Sequence, residues 1–117
     1  MAAALTLLGL AACGPAVQTA APAAQSGRQA VALDGQAFAV SVAPGPQGRA
    51  LTRAGAVAVA GQRIAVTRDG LALGGSDGAV AKRVAKLGCE QSGGRFNGAA
   101  LGRYAGAGVW SFDGGCA

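Results

Sequence analysis

Between Ala30 and Leu73 apolar and polar positions alternate with a period of two, the signature of half-buried strands. Val31 and Leu33 lead into Asp34-Gly35, after which Phe38, Val40 and Val42 alternate with small or polar neighbours. An Asp-Gly step between two such runs predicts a hairpin on a primed turn. Pro44-Gly45-Pro46-Gln47-Gly48 then ends the strand. A second hairpin is predicted from Val57 and Val59 through Gly61-Gln62 to Ile64 and Val66, with Asp69-Gly70 turning the chain into a short third partner at Leu71 and Leu73. At Gly74-Gly75-Ser76-Asp77 the period changes. Val80, Val84 and Leu87 fall on one helical stripe, with Lys82, Arg83, Lys86 and Glu90 opposite. Ser76 or Asp77 can cap this helix and Ser92-Gly93-Gly94 can stop it. A Gly/Ala-rich passage to about Tyr104 leads to a last strand, Val109-Trp110-Ser111-Phe112, with Trp110 and Phe112 on one side and Val109 and Ser111 on the other. The expected fold class is α+β: a small antiparallel β-meander packed against one α-helix, with the C-terminal strand beside that helix.

The N-terminus is different in kind. Residues 1–12 form a short apolar run closed by Leu10-Ala11-Ala12-Cys13, and Gly14-Pro15 then break any helix. The run has the length of a signal-peptide apolar region and is too short to span a bilayer. Leu10-Ala11-Ala12-Cys13 resembles the lipobox of bacterial lipoproteins: an aliphatic residue three places before the cysteine, and small residues just before it. The resemblance implies cleavage after Ala12, lipidation of Cys13, a membrane anchored through that N-terminal lipid, and a domain facing the periplasm. With Gly14 rather than Asp after the cysteine, it further implies the outer membrane. No Lys or Arg precedes the apolar run, which a start codon placed downstream of a basic leader would explain. A cleaved non-lipid signal, or a buried N-terminal helix with an ordinary core cysteine, are the alternatives. Residues 13–29 are rich in Ala, Pro, Gln, Thr and Ser with Arg28 their single charge, the composition of a flexible tether. Residues 30–117 are then one small domain.

Composition sharpens this division. Only 13% of residues are charged, about half the usual share, so the formal charge of +5 is carried on a sparsely charged surface. Four of the five aromatic residues, Phe96, Tyr104, Trp110 and Phe112, lie in the last 22 positions and place the anchor of the core there. A domain of this size is marginal without a staple. Cys89 and Cys116 are the two thiols outside the lipobox, and in an exported chain such a pair is most simply a disulfide. The alternative is two buried reduced cysteines. The helix with a cysteine at its end, followed by a Trp-x-Phe strand closing on Cys116, also resembles small uncharacterised exported proteins of Gram-negative bacteria over residues 79–117, a likeness that implies no activity.

Candidate chemistry is sparse. The absence of histidine removes Ser-His and Cys-His nucleophilic sites and His-based metal sites. Asp34, Asp69, Asp77 and Asp113 each precede a glycine and read as turn or cap residues. Glu90, four residues after Lys86, reads as half of a solvated helix pair. The glycines at 70, 74 and 75 precede the helix but lack the Gly-Lys-Ser/Thr of a phosphate-binding loop. No catalytic residue, cofactor or metal is therefore assigned, and the chain reads as a non-enzyme. Lys82, Arg83 and Lys86 form a possible anionic-ligand patch, which Arg63, Arg68, Arg95 and Arg103 join or not; the alternative is a solvated face that keeps the protein soluble. Nucleic acid is not an expected partner, because the arginines are not interleaved with aromatics. Two functional readings follow. One is a structural or protein-binding accessory module of the cell envelope with an unidentified protein partner; the other is a basic-surface module for anionic envelope polymers or lipids.

Overall fold

A computed structural model of the protein describes residues 24–117. The expectations placed on residues 1–23, the signal peptide, Cys13 and most of the tether, lie outside the described residues. Seven strands and one helix follow in the order β1 (Gly27–Leu33), β2 (Gln36–Ala43), β3 (Gly48–Thr52), β4 (Gly55–Val59), β5 (Gln62–Arg68), α1 (Gly78–Gln91), β6 (Gly102–Gly106) and β7 (Val109–Cys116). Five strands make one sheet in the order β1-β2-β5-β7-β6, each pair antiparallel, and β3 and β4 make a separate two-stranded sheet. The fold is thus mostly antiparallel sheet with one helix. A meander describes only part of it. β7 enters between β5 and β6, so those two strands run the same way, joined through α1, with the last strand between them.

The first hairpin forms as its turn chemistry dictates. Asp34 and Gly35 both have positive φ, 52° and 77°, the conformation of a primed turn, which matches the right-handed twist of the strands. The second expected hairpin does not form. β4 pairs with β3, and β5 is taken by β2 on one side and β7 on the other. The physical reason lies at Gly61, where the chain passes so near β7 that a Cβ would sit 2.6 Å from the Gly114 carbonyl oxygen. The chain therefore leaves the β4 line at Gly61 and joins the sheet beside β7. Leu71 and Leu73 form no strand either: the Arg68 Nε donates to the Leu71 carbonyl at 2.7 Å, holding the segment as a loop, and Leu73 turns into the core.

The folded region starts earlier than the alternation indicates. Ala24 is buried, its carbonyl accepts from the Gln62 side-chain amide, and the Gln25 N–H donates to the Ser92 carbonyl at 3.0 Å. Of residues 24–29, expected in the tether, Ala24 and Gln25 therefore dock at the end of α1 and Gly27, Arg28 and Gln29 belong to β1.

One face of the sheet carries the core. Val31, Phe38, Val40, Val42, Ile64, Val66 and Phe112 lie under α1. The helix presents Ala81, Val84, Ala85, Gly88 and Cys89 to them, while Val80 and Leu87 are only partly buried. The contact stripe is thus rotated from Val80-Val84-Leu87 toward the smaller residues. Gly88 explains this, since a Cβ there would sit 2.4 Å from a Val40 methyl, and that close approach draws the helix axis onto β2.

Both helix ends follow local rules. Asp77 is the N-cap residue, but its carboxylate accepts from the Gly74 N–H at 2.8 Å and lies 3.5 Å from Arg68, instead of capping the first turn. At the other end Gly93, with φ 83°, donates to the Glu90 carbonyl and Gly94 to the Cys89 carbonyl. These two bonds are the Schellman closure, which satisfies carbonyls that the helix leaves unpaired. Cys89 then bonds Cys116 with Cα atoms 5.6 Å apart, tying α1 to β7. Trp110 fixes the opposite end: its Nε1–H donates to the Gly74 carbonyl at 2.9 Å, so the aromatic strand is fastened to both ends of the helix.

Candidate functional site

Lys82, Arg83 and Lys86 stand together on the exposed face of α1, opposite its buried stripe. This is the arrangement their spacing predicts, since residues three and four apart share a helical face. Beside them lies a surface cavity of about 440 Å³, lined by Ala79, Lys82, Arg83, Lys86, Phe96 and Gly98. Its lining contains three cations and no carboxylate. A second, smaller hollow of about 300 Å³ shares Arg83 and Lys86 and is walled by Leu33, Leu87 and Glu90.

The aromatic wall of the 440 Å³ cavity is Phe96, just after the helix, which the sequence assigns only to the aromatic anchor of the core. Phe96 forms an isolated bridge with Cys116, and the flanking Arg95 and Asn97 N–H groups donate to Ala117 and Gly115 at 2.8 and 2.9 Å. Its ring meets Phe112 edge-on, with centroids 6.2 Å apart, a favoured aromatic geometry. The 95–97 segment is therefore laid against the end of β7, and the disulfide holds that end against α1. A signal was present in the sequence: an aromatic residue just after the helix stop, in a stretch otherwise of Gly, Asn and Ala.

Ion pairing leaves most of the patch charge uncompensated. The expected Lys86 and Glu90 pair is not made. Instead Arg83 reaches the Asp34 carboxylate on the β1–β2 turn at 3.5 Å, with both side chains well over half exposed, so the attraction is weak and screened. Neither Lys82 nor Lys86 has a carboxylate within ion-pairing distance among the described residues.

The other arginines do not join this surface. Arg68 is spent on Asp77 and the 71–72 carbonyls. Arg63 and Arg103 meet Asp113 at 2.6 and 3.8 Å. Asp113, expected in a turn, is a strand residue of β7 paired in this way. Its hydrogen bond, aided by its charge, lifts the Arg63 pKa above the ordinary guanidinium value, against the opposing effect of burial. A cavity of about 470 Å³ lies there, lined by Arg49, Arg103, Ser111 and Asp113 among others. It differs from the helix cavity in carrying its own counter-charge and in having no aromatic wall. Arg95 is exposed and lines neither cavity.

The Gly74-Gly75 stretch, with its likeness to a phosphate loop, is used for structure. The Gly74 N–H is bonded to Asp77 and its carbonyl to Trp110. Among the described residues no cluster of acidic or thiol side chains has the arrangement of a metal site, and no helix is long and apolar enough to cross a membrane. No family model, curated protein or solved structure matches the chain.

Proposed function

We propose that this chain is a non-enzymatic binding module of the cell envelope, held to the outer membrane by a lipid on Cys13 and facing the periplasm, and that α1 carries its ligand site. The observation that supports a ligand is the cavity between Lys82, Arg83, Lys86 and Phe96, in which an aromatic wall and three cations adjoin with no carboxylate in the lining. Such a surface suits an anionic group joined to an apolar one, as in an acidic lipid or an acidic polymer bearing acyl substituents. Replacing Lys82, Arg83 and Lys86 together with Gln should leave the fold unchanged, because all three side chains are exposed. Each basic residue near an anionic membrane contributes about 1 kcal/mol, so vesicle binding should fall by roughly two orders of magnitude. Co-sedimentation with anionic and with zwitterionic vesicles, at low and high salt, measures this. Equal retention of the triple variant and the parent would reduce the patch to a solubilising face.

The lipid anchor has its own test. Cys13→Ser should release the protein from membranes or leave an uncleaved precursor; a variant that still fractionates with membranes at the mature mass would overturn the anchor. The broader reading, an accessory module that binds protein, draws support from Leu51, Val57 and Leu101, which are 61%, 40% and 44% exposed on or beside the β3–β4 hairpin.

A further inference from the structure

Among the described residues, the β3–β4 hairpin has one edge in use and one edge free. On its inner edge, the Leu51 N–H donates to the Ala99 carbonyl at 3.3 Å and the Arg49 carbonyl accepts from the Leu101 N–H at 2.8 Å. Antiparallel ladders alternate, so a residue whose backbone groups point to one neighbour does not point to the other. Arg49 and Leu51 face the 99–101 segment; Gly48, Ala50 and Thr52 must therefore face β4. Their register partners Val59, Val57 and Gly55 return those bonds. Ala56 and Ala58 are thereby left with N–H and C=O groups directed away from the hairpin, and no other described segment pairs with β4.

This edge lacks the devices that usually protect one. Exposed edges are blunted by charge, proline, bulges or cover. The edge strands of the large sheet follow that rule, with Arg28 and Gln29 in β1, and Arg103 in β6. β4 is Gly-Ala-Val-Ala-Val, uncharged throughout and exposed over its first four residues.

We propose that β4 is a homodimer edge, pairing antiparallel with β4 of a second copy about a two-fold axis at Val57. The register is set by the free groups. Ala56 and Ala58 exchange hydrogen bonds with Ala58 and Ala56 of the second copy, and Val57 meets its own counterpart in the close, non-hydrogen-bonded position. The strand is self-complementary there, as a two-fold interface requires. On one face the row across the four strands runs Ala50, Val57, Val57, Ala50; on the other it runs Arg49, Ala58, Ala56, Leu51. Two alanines thus separate each Arg49 from the Leu51 of the second copy, and no like charges stand opposite one another. The inference does not depend on the helix cavity, which lies on α1.

The test uses the full chain carrying Cys13→Ser, so that no lipid or third native thiol intervenes. Light scattering at roughly 100 µM should give the mass of two copies, suited to a small interface. Val57→Lys sets two ammonium groups opposite each other and should weaken association more than tenfold, with the melting temperature unchanged when measured below the association range. Ala58→Pro removes only an outward N–H and should act the same way. Under oxidation, Val57→Cys should cross-link in high yield, since non-hydrogen-bonded partners lie about 4.5 Å apart at Cα, within disulfide reach. Leu51→Cys, one strand removed, should not. A single-copy mass at that concentration overturns the proposal, as does cross-linking of Leu51→Cys equal to that of Val57→Cys. A monomer whose β4 captures an extended peptide from another protein also overturns it.

Discussion

β2 and β4 read almost alike, and they meet opposite fates. Phe38-Ala39-Val40-Ser41-Val42 and Ala56-Val57-Ala58-Val59 are both period-two runs of apolar and small residues. β2 lies between β1 and β5 with α1 above it, and Phe38, Val40 and Val42 are at most 2% exposed. Among the described residues β4 has one partner, and Val57 is 40% exposed. Alternation decides which residues share a face. It does not decide whether anything covers that face. Cover over β2 comes from one helix brought close by Gly88 and held by a covalent bond.

Breaking that bond should have the largest effect on the contrast. The Cys89–Cys116 loop spans 27 positions, for which the chain-entropy model gives about 3.5 kcal/mol. Reduction, or Cys89→Ala with Cys116→Ala, should lower the melting temperature by roughly 15 to 25 °C. Thiol titration of the unreduced, unfolded protein should find neither cysteine free. A melting curve indifferent to reductant would mean that the helix is held over β2 by packing alone.

Next comes the close approach itself. Gly88→Ala places a methyl 2.4 Å from Val40 and should cost about 3 kcal/mol by overpacking. The same substitution at Gly98, where nothing lies within 4 Å of the added Cβ, should change stability by less than about 0.5 kcal/mol. Chemical denaturation of the two variants gives both numbers, and equal costs would remove Gly88 as the determinant of helix position.

A direct comparison of the two strands is a smaller effect. Val40→Ala, in a fully buried site, should cost about 2 kcal/mol, whereas Val57→Ala should cost less than about 0.5 kcal/mol when measured below the association range. Near-equal losses would show β4 to be as covered as β2. The smallest effect is expected on the sheet face away from the helix. Arg63→Gln removes the 2.6 Å contact to Asp113, in which both groups are partly solvated, and should cost under about 1 kcal/mol, less at high salt.

What the sequence made legible follows the same division. The β1–β2 hairpin, α1, the Schellman stop and the Trp110/Phe112 strand were readable because each depends on neighbours within a few residues. Lys82, Arg83 and Lys86 were readable as one surface for that reason. The cysteine pair was readable by elimination. Long-range choices were not. Nothing local distinguishes Val59-Ala60-Gly61-Gln62 as a turn from the same residues as a link between sheets; the decision rests on the backbone of β7, some 50 residues on. β6 escaped notice because Gly102, Ala105 and Gly106 carry no alternating pattern. Gly102 is small for a reason visible only in three dimensions, since a Cβ would meet the Phe112 ring at 2.5 Å. The cavity needed Phe96, whose position is set by backbone bonds to the end of β7 and not by its own neighbours.

The place of β7 has a consequence for biosynthesis. It is the last of the described elements along the chain, yet it fills the gap between β5 and β6 and supplies one half of the covalent bridge. While a ribosome is still making the chain, β5 has only β2 beside it, the inner side of α1 has no bridge to fasten it, and Ile64 has no Phe112 to pack on. A nascent chain thus has no complete sheet to close early. Closure waits until residue 116 has emerged, so the polypeptide stays pliable for as long as it is being made.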